Sequence, residues 1–120
     1  ILHIRVGDVV CKKTLFKRYA KFNDTGWWDG FISFCKRYNI MNVYIVAGAH
    51  NNVCINKSVD YIKTITNRLN KLFNVFHITG NSPDHDILFV RKFKYLATTG
   101  GGYGKILSHV VLGNNGIIYD

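Results

Sequence analysis

The chain has 120 residues, 48% of them hydrophobic, and 16 Lys and Arg against 7 Asp and Glu give a formal charge of +9. That length suits one domain with a real core, and that apolar content excludes a disordered segment. No apolar run approaches the roughly 18 residues that a membrane-spanning helix needs.

In chain order, "ILHIRV" (1–6) reads as a strand, followed by a basic loop. Asp24 or Thr25 can cap a helix carrying Trp28, Phe31, Ile32 and Cys35 at spacings of three and four. "NVYIVAG" (42–48) is a second strand. Asn56 or Ser58 can cap the next helix, whose apolar stripe is Val59, Ile62, Ile65, Leu69 and Leu72. "VFHITG" (75–80) is a third strand. Ser82, Pro83 and Asp84 then supply an N-cap, a proline at the first helical position and an acid in the first turn. That short helix runs to about Lys92, and "KYLATT" (94–99) is a fourth strand. A glycine cluster opens a last helix, 103–112, ended by Gly113, and "GIIY" (116–119) is a fifth strand. Strands alternating with helices predict parallel βαβ units, an α/β Rossmann-like, doubly wound, mostly parallel sheet.

The positive balance favours an anionic partner: nucleic acid, nucleotide, phosphorylated sugar or acidic surface. The basic residues are nevertheless scattered in small groups such as Lys12-Lys13 and Arg91-Lys92, the pattern of a solvated surface. Cys11, Cys35 and Cys54 form no CxxC, so neither a metal framework nor a disulfide set follows from spacing. A reducing, cytoplasmic compartment is the expectation. The first residues lack an initiator Met and a signal peptide, and both ends read as cut, so residues 1–120 are expected to be one domain of a longer chain.

In such sheets ligands bind beyond the carboxyl ends of the strands. The unusual residues gather there. "TTGGGYGK" (98–105) fails as a Walker loop, because Thr99 holds its first glycine position and Ile106 its last. It fails the GxGxxG fingerprint too, since Lys105 stands where the third glycine belongs. What remains is a glycine turn leading into a helix whose first N–H groups lack internal partners, a cradle for a phosphate. Lys105 is peripheral to it. His3 and Arg5 lie two apart on a strand and share one face, and Arg5 offers a planar fork of donors. Gly7 can supply a turn and Asp8 a local hydrogen bond; alternatively, Arg5 pairs with Asp8 or Asp86 and His3 is a satisfied core histidine. Asp84 and Asp86 share the spacing of DxD metal sites but fall in the first turn of a helix, where the dipole alone accounts for acids. A carboxylate that reads a nucleoside is the other reading, and no metal site is assigned. His50, Asn51 and Asn52 lie at the same edge, and Trp27-Trp28 read as core.

"LHIRVGD" resembles the His-x-Arg-x-Gly-Asp motif of the fucosyltransferase superfamily that uses GDP-fucose. The resemblance continues through "HNN" to "SPDHDILFVRKFKYLATTGGGYGKILSHVV" and spans nearly the whole chain. It implies a glycosyltransferase domain, one half of a GT-B-like architecture, binding a GDP-sugar donor for transfer to a glycan acceptor. By the resemblance, Arg5 binds the diphosphate and stabilises the leaving nucleotide, with His3 beside the nucleoside or the phosphate. Asp86 or Asp84 reads base or ribose, and Asp8 is a candidate base. Gly7, Thr99, Gly100, Gly101, Gly102, Tyr103 and Gly104 complete the donor site, the main chain from Gly101 to Gly104 holding the β-phosphate. Val6 stands where many members carry a second arginine. The resemblance also implies a second Rossmann-like domain for the acceptor, which these residues do not contain. The alternative is a non-catalytic basic module that binds nucleic acid or another polyanion.

Overall fold

The computed structural model describes residues 1–6, 8–48, 54–78 and 82–120. Gly7 and the His50–Asn52 triplet therefore lie outside the described residues. Five strands alternate with helices: β1 (Leu2–Arg5), β2 (Asn42–Gly48), β3 (Asn74–Ile78), β4 (Tyr95–Thr98) and β5 (Ile117–Tyr119). They form one sheet in the order β3-β2-β1-β4-β5, and each neighbouring pair is parallel. The expected α/β fold is what the chain adopts, and it is Rossmann-like.

The strand order reverses at β1. The chain first builds outward through β2 and β3, then returns to place β4 on the other side of β1. β1 and β4 therefore form the switch point of the sheet, beyond whose carboxyl ends such folds bind ligands. The register sets which residues flank it: His3 lies opposite Val46 on one side and Thr98 on the other.

Alternation along β1 divides its side chains between two cores. Leu2, Ile4 and Val6 join Val43, Ile45, Phe31, Trp28 and Leu69 in the larger cluster. That cluster lies beneath α3 (Thr25–Arg37) and α4 (Ile55–Leu69). On the opposite face Val46 and Leu96 pack against Val90 of α5 (Pro83–Val90) and Leu107 and Val111 of α6 (Gly101–Gly113). A strand covered on both faces normally shows an unbroken apolar run. His3 and Arg5 are the exceptions, and both belong to the α6 side.

Several helix signals hold at the level of single atoms. Asp24 caps α3 by accepting from the Trp27 N–H at 3.0 Å. Trp27 and Trp28 are buried, as their place on an amphipathic helix predicts. Ser82 caps α5 with Pro83 at the first position.

Other expectations need correction. The basic segment after β1 is helical: α1 (Asp8–Cys11) and α2 (Lys13–Tyr19), followed by a 3-10 turn at Lys21–Asn23. Val9 of α1 is fully buried, and Phe16 packs edge-on against Tyr61 of α4, so for α2 tertiary contact supplies what side-chain capping does not. α4 begins at Ile55, behind a left-handed Cys54 and ahead of both expected caps; Asn56 and Ser58 lie within the helix, Ser58 buried. The apolar stripe is also narrower than predicted. Ile65 and Leu69 are buried, whereas Val59 and Leu72 are 57% and 52% exposed, Leu72 because the helix has already ended.

Cys11 and Cys54 form a disulfide, and Cys35 is a buried free thiol. The expectation of three reduced cysteines is thus overturned, and with it the ground for a cytoplasmic lean. The two partners lie 43 residues apart and meet because α1 folds onto the start of α4. No helix among the described residues is long and apolar enough to cross a membrane.

Candidate anion-binding site at the sheet switch point

The site is built where β1, β4 and α6 meet. At the end of β4, Thr98 and Thr99 are 2% and 0% exposed. Thr99 joins the two strands twice: its N–H donates to the His3 carbonyl at 3.1 Å, and its Oγ1 accepts from the Arg5 N–H at 3.0 Å. These bonds continue the sheet past the last regular residue of β4. They fix the backbone of His3 and Arg5 against the approach to α6.

The glycines that follow have distinct jobs. Gly100 adopts φ 94° and ψ −163°, a region open essentially to glycine alone, and Gly101 has φ 88°. A Cβ on Gly101 would lie 2.7 Å from Arg5 Nη1 and 2.8 Å from its Cδ, so the Arg5 side chain runs directly against that backbone. Gly104 is needed for packing: a Cβ there would lie 2.5 Å from Thr98 Oγ1 and 3.1 Å from His3 Nδ1. Gly102 is different. It is exposed, and among the described residues a Cβ would meet nothing within 4 Å.

No side chain caps α6. The N–H of Gly100 donates to Thr98 Oγ1 at 3.1 Å, so Gly100 contributes conformation rather than a donor. The donors left to an approaching anion are those of the first turn, Gly101 to Tyr103. Arg5 stands beside them and open space lies in front of Gly102. The dipole of such a helix favours an anion at this end by roughly 0.3–1 kcal/mol, and up to about 2 when partly buried.

His3 is 5% exposed, with Nδ1 3.0 Å from Thr98 Oγ1 and its ring 5.6 Å from that of Tyr103 in an edge-on arrangement. Burial, reinforced by the Arg5 guanidinium, depresses its pKa to about 4, so the imidazole is neutral at physiological pH. Tyr103 reaches across to α5, its hydroxyl donating to the Pro83 carbonyl at 2.8 Å. Burial first, then the charges of Asp86 and Asp84, push its pKa to about 12 and keep it a donor.

Asp84 and Asp86 occupy the first turn of α5, as the sequence predicts. Asp84 is exposed. Asp86 is partly buried, and its Oδ1 is enclosed without a hydrogen-bond partner among the described residues. Desolvation raises its pKa, with the neighbouring His85 acting against the rise. An enclosed acceptor of this kind is suited to a donor on a ligand. Asp8 opens α1, but its side chain lies outside the described groups, and Lys105 is exposed. Among the described residues no three His, Cys, Asp or Glu side chains converge as metal ligands.

Of the residues singled out in the sequence, His3, Arg5, Thr99, Gly100, Gly101, Gly102, Tyr103 and Gly104 thus come together, and Tyr103 links them to the turn carrying Asp84 and Asp86. Thr98 enters the sequence reading only as the first residue of "TTGGGYGK", yet its hydroxyl touches both His3 and the glycine turn. Its sequence signal is the doubled threonine at a strand end. An apolar hollow at the opposite end of the sheet, lined by Phe31, Phe34, Cys35, Val43 and Tyr95, is remote from this chemistry. No family model matches the chain, and neither a curated protein nor a solved structure is significantly similar to it.

Proposed function

We propose that the chain is the nucleotide-sugar-binding domain of a fucosyltransferase-like glycosyltransferase, taking a GDP-sugar donor for transfer to a glycan acceptor. The observation that carries this reading is the placement of Arg5 against the glycine-led start of α6 at the switch point of the sheet. A diphosphate seated there would receive main-chain N–H groups from α6 and the planar fork of Arg5. The reaction is displacement at the anomeric carbon: the acceptor oxygen bonds to that carbon while the bond to the diphosphate breaks. Charge developing on the departing diphosphate is met by donors already in position, and removing one such donor typically costs about 10²–10³ in rate. Asp86 Oδ1 would accept from the base or ribose, and Asp8 is the candidate base. A second α/β domain of the same protein would bring the acceptor.

The charge of +9 favours a second reading, a basic module for nucleic acid or another polyanion. Several of those cations have structural work to do. The Arg68 guanidinium lies 3.8 Å over the Trp28 ring and donates to the Phe22 carbonyl, and Arg37 and Lys94 cover Tyr38 and Tyr95. Calorimetric titration separates the two readings. A nucleotide pocket prefers GDP over other nucleotides at fixed salt and loses that binding in Arg5→Ala, whereas a phosphate-backbone surface weakens steeply with salt and tolerates many sequences. Unchanged GDP affinity in Arg5→Ala removes the phosphate role.

A further inference from the structure

We infer that Thr98 is a positioning residue that fixes the tautomer of His3, holding Nδ1 as an acceptor so that Nε2–H is the donor the imidazole offers to a bound diphosphate; the last clause rests on the reading of the site given above. Hydrogen-bond accounting leads there. The Gly100 N–H already donates to Thr98 Oγ1 at 3.1 Å. The hydroxyl hydrogen therefore needs an acceptor, and Thr98 is 2% exposed, so water does not readily supply one. Nδ1 of His3, 3.0 Å away, is the other contact of that oxygen among the described residues. With Nδ1 unprotonated, both bonds are satisfied: Gly100 donates to Thr98, and Thr98 donates to His3. With Nδ1 protonated, one oxygen would face two donors while its own buried hydrogen had no acceptor, the more costly arrangement.

The surroundings support a neutral ring. Arg5 on the same strand is the charged group beside it, and Tyr103 from α6 presents an uncharged phenol. Across the sheet, β2 offers Val46 and β4 offers Thr98 itself. Gly104 completes the arrangement, because a Cβ at that position would collide with Thr98 Oγ1 and crowd His3 Nδ1. Four elements therefore converge on one hydroxyl: β1 through the imidazole, β4 through Thr98, the turn through Gly100 and α6 through the bare backbone of Gly104. Such outer partners commonly decide which nitrogen of a histidine faces a ligand.

Long-range proton–nitrogen correlation spectra of the ligand-free, isotope-labelled chain at neutral pH read the tautomer directly. The expected pattern for His3 is a protonated Nε2 and a bare Nδ1; an Nδ1–H tautomer, or two averaged nitrogens, overturns the inference. Thr98→Val should move the pattern toward averaging and Thr98→Ser should restore it, whereas identical spectra in all three overturn the role of the hydroxyl. Should Thr98→Val not fold, the wild-type and Thr98→Ser spectra decide. GDP titration then tests the consequence. Thr98→Val should bind about tenfold more weakly, the worth of one hydrogen bond, with Thr98→Ser near wild type. Equal GDP affinity in Thr98→Val overturns the positioning role. A wild-type chain that shows the tautomer but binds no GDP overturns the nucleotide reading instead.

Discussion

Two helices begin at the same edge of the sheet, and they begin in opposite ways. α5 supplies its own ending: Ser82 accepts from the His85 N–H, Pro83 removes a donor that would otherwise lack a partner, and Asp84 and Asp86 answer the dipole. α6 supplies none of this. It has no side-chain cap and no acid in its first turn, and it is entered through two glycines with positive φ. Sequence alone makes α5 self-sufficient, and a further anion there would meet two carboxylates. The α6 terminus depends on its surroundings, on Thr98 behind it and Arg5 beside it. A helix start that closes on itself leaves no place for a phosphate, whereas one entered without a side-chain cap and beside a cation suits one.

The largest test of that contrast is pH. His3 on the α6 side has its pKa lowered from near 6.5 to about 4, so the folded state binds fewer protons than the unfolded chain in that window. Stability contributed by the neutral ring is full above the unfolded value and drains away as pH falls toward the folded one. At 1.36 kcal/mol per unit, the loss is about 3 kcal/mol. Asp86 on the α5 side has the opposite sign. Its raised pKa means that the folded state holds the proton longer, so its contribution weakens as pH rises through the shifted value. Urea unfolding across this range should show acid destabilisation that is absent from a His3→Gln chain. Parallel curves for the two proteins would break the contrast.

Gly101→Val comes next. It combines a positive φ with a Cβ set against the Arg5 side chain, and should cost about 2 kcal/mol of stability in the same assay. The smallest effects are a pair with opposite readouts. Ser82→Ala should lower stability by about 1 kcal/mol and leave GDP affinity alone. Gly102→Leu should leave stability within about 0.5 kcal/mol, because its space is open, yet weaken GDP binding by filling the approach to the N–H groups. If Gly102→Leu unfolds the chain, or Ser82→Ala weakens GDP binding as much as Gly102→Leu does, phosphate binding is not confined to the α6 terminus.

Much of this architecture is legible without coordinates because its signals are local. The Ser82-Pro83 start, the Asp24 cap and the alternation of strands with helices are each written in a few adjacent residues. The failures share a cause of another kind. α2 carries no capping side chain; α1 folds onto α4 with Val9 buried, and Phe16 of α2 packs against Tyr61. The Cys11–Cys54 pairing depends on α1 meeting α4, which spacing does not encode. The glycine cluster is an intermediate case. That several glycines signify a special turn is visible in "TTGGGYGK", but which are required by φ, which by Arg5 or Thr98, and which by nothing around them is decided by neighbours far away in sequence. Likewise, the pairing of His3 with Thr98 is a matter of strand order, and that order becomes fixed only when β4 returns to lie beside β1.

The disulfide changes what a protease would report. Cys11 and Cys54 enclose α2, α3 and the whole of β2, the segment that contributes Trp27, Trp28, Phe31 and Ile45 to the larger core. A single cut within that ring leaves both pieces covalently joined, with the native neighbours still close enough to re-pack. Electrophoresis without reductant would show one band of unchanged mass, and the same sample with reductant would show two. Nicked protein that keeps its fold until a thiol is added is therefore the behaviour this covalent ring builds into the chain.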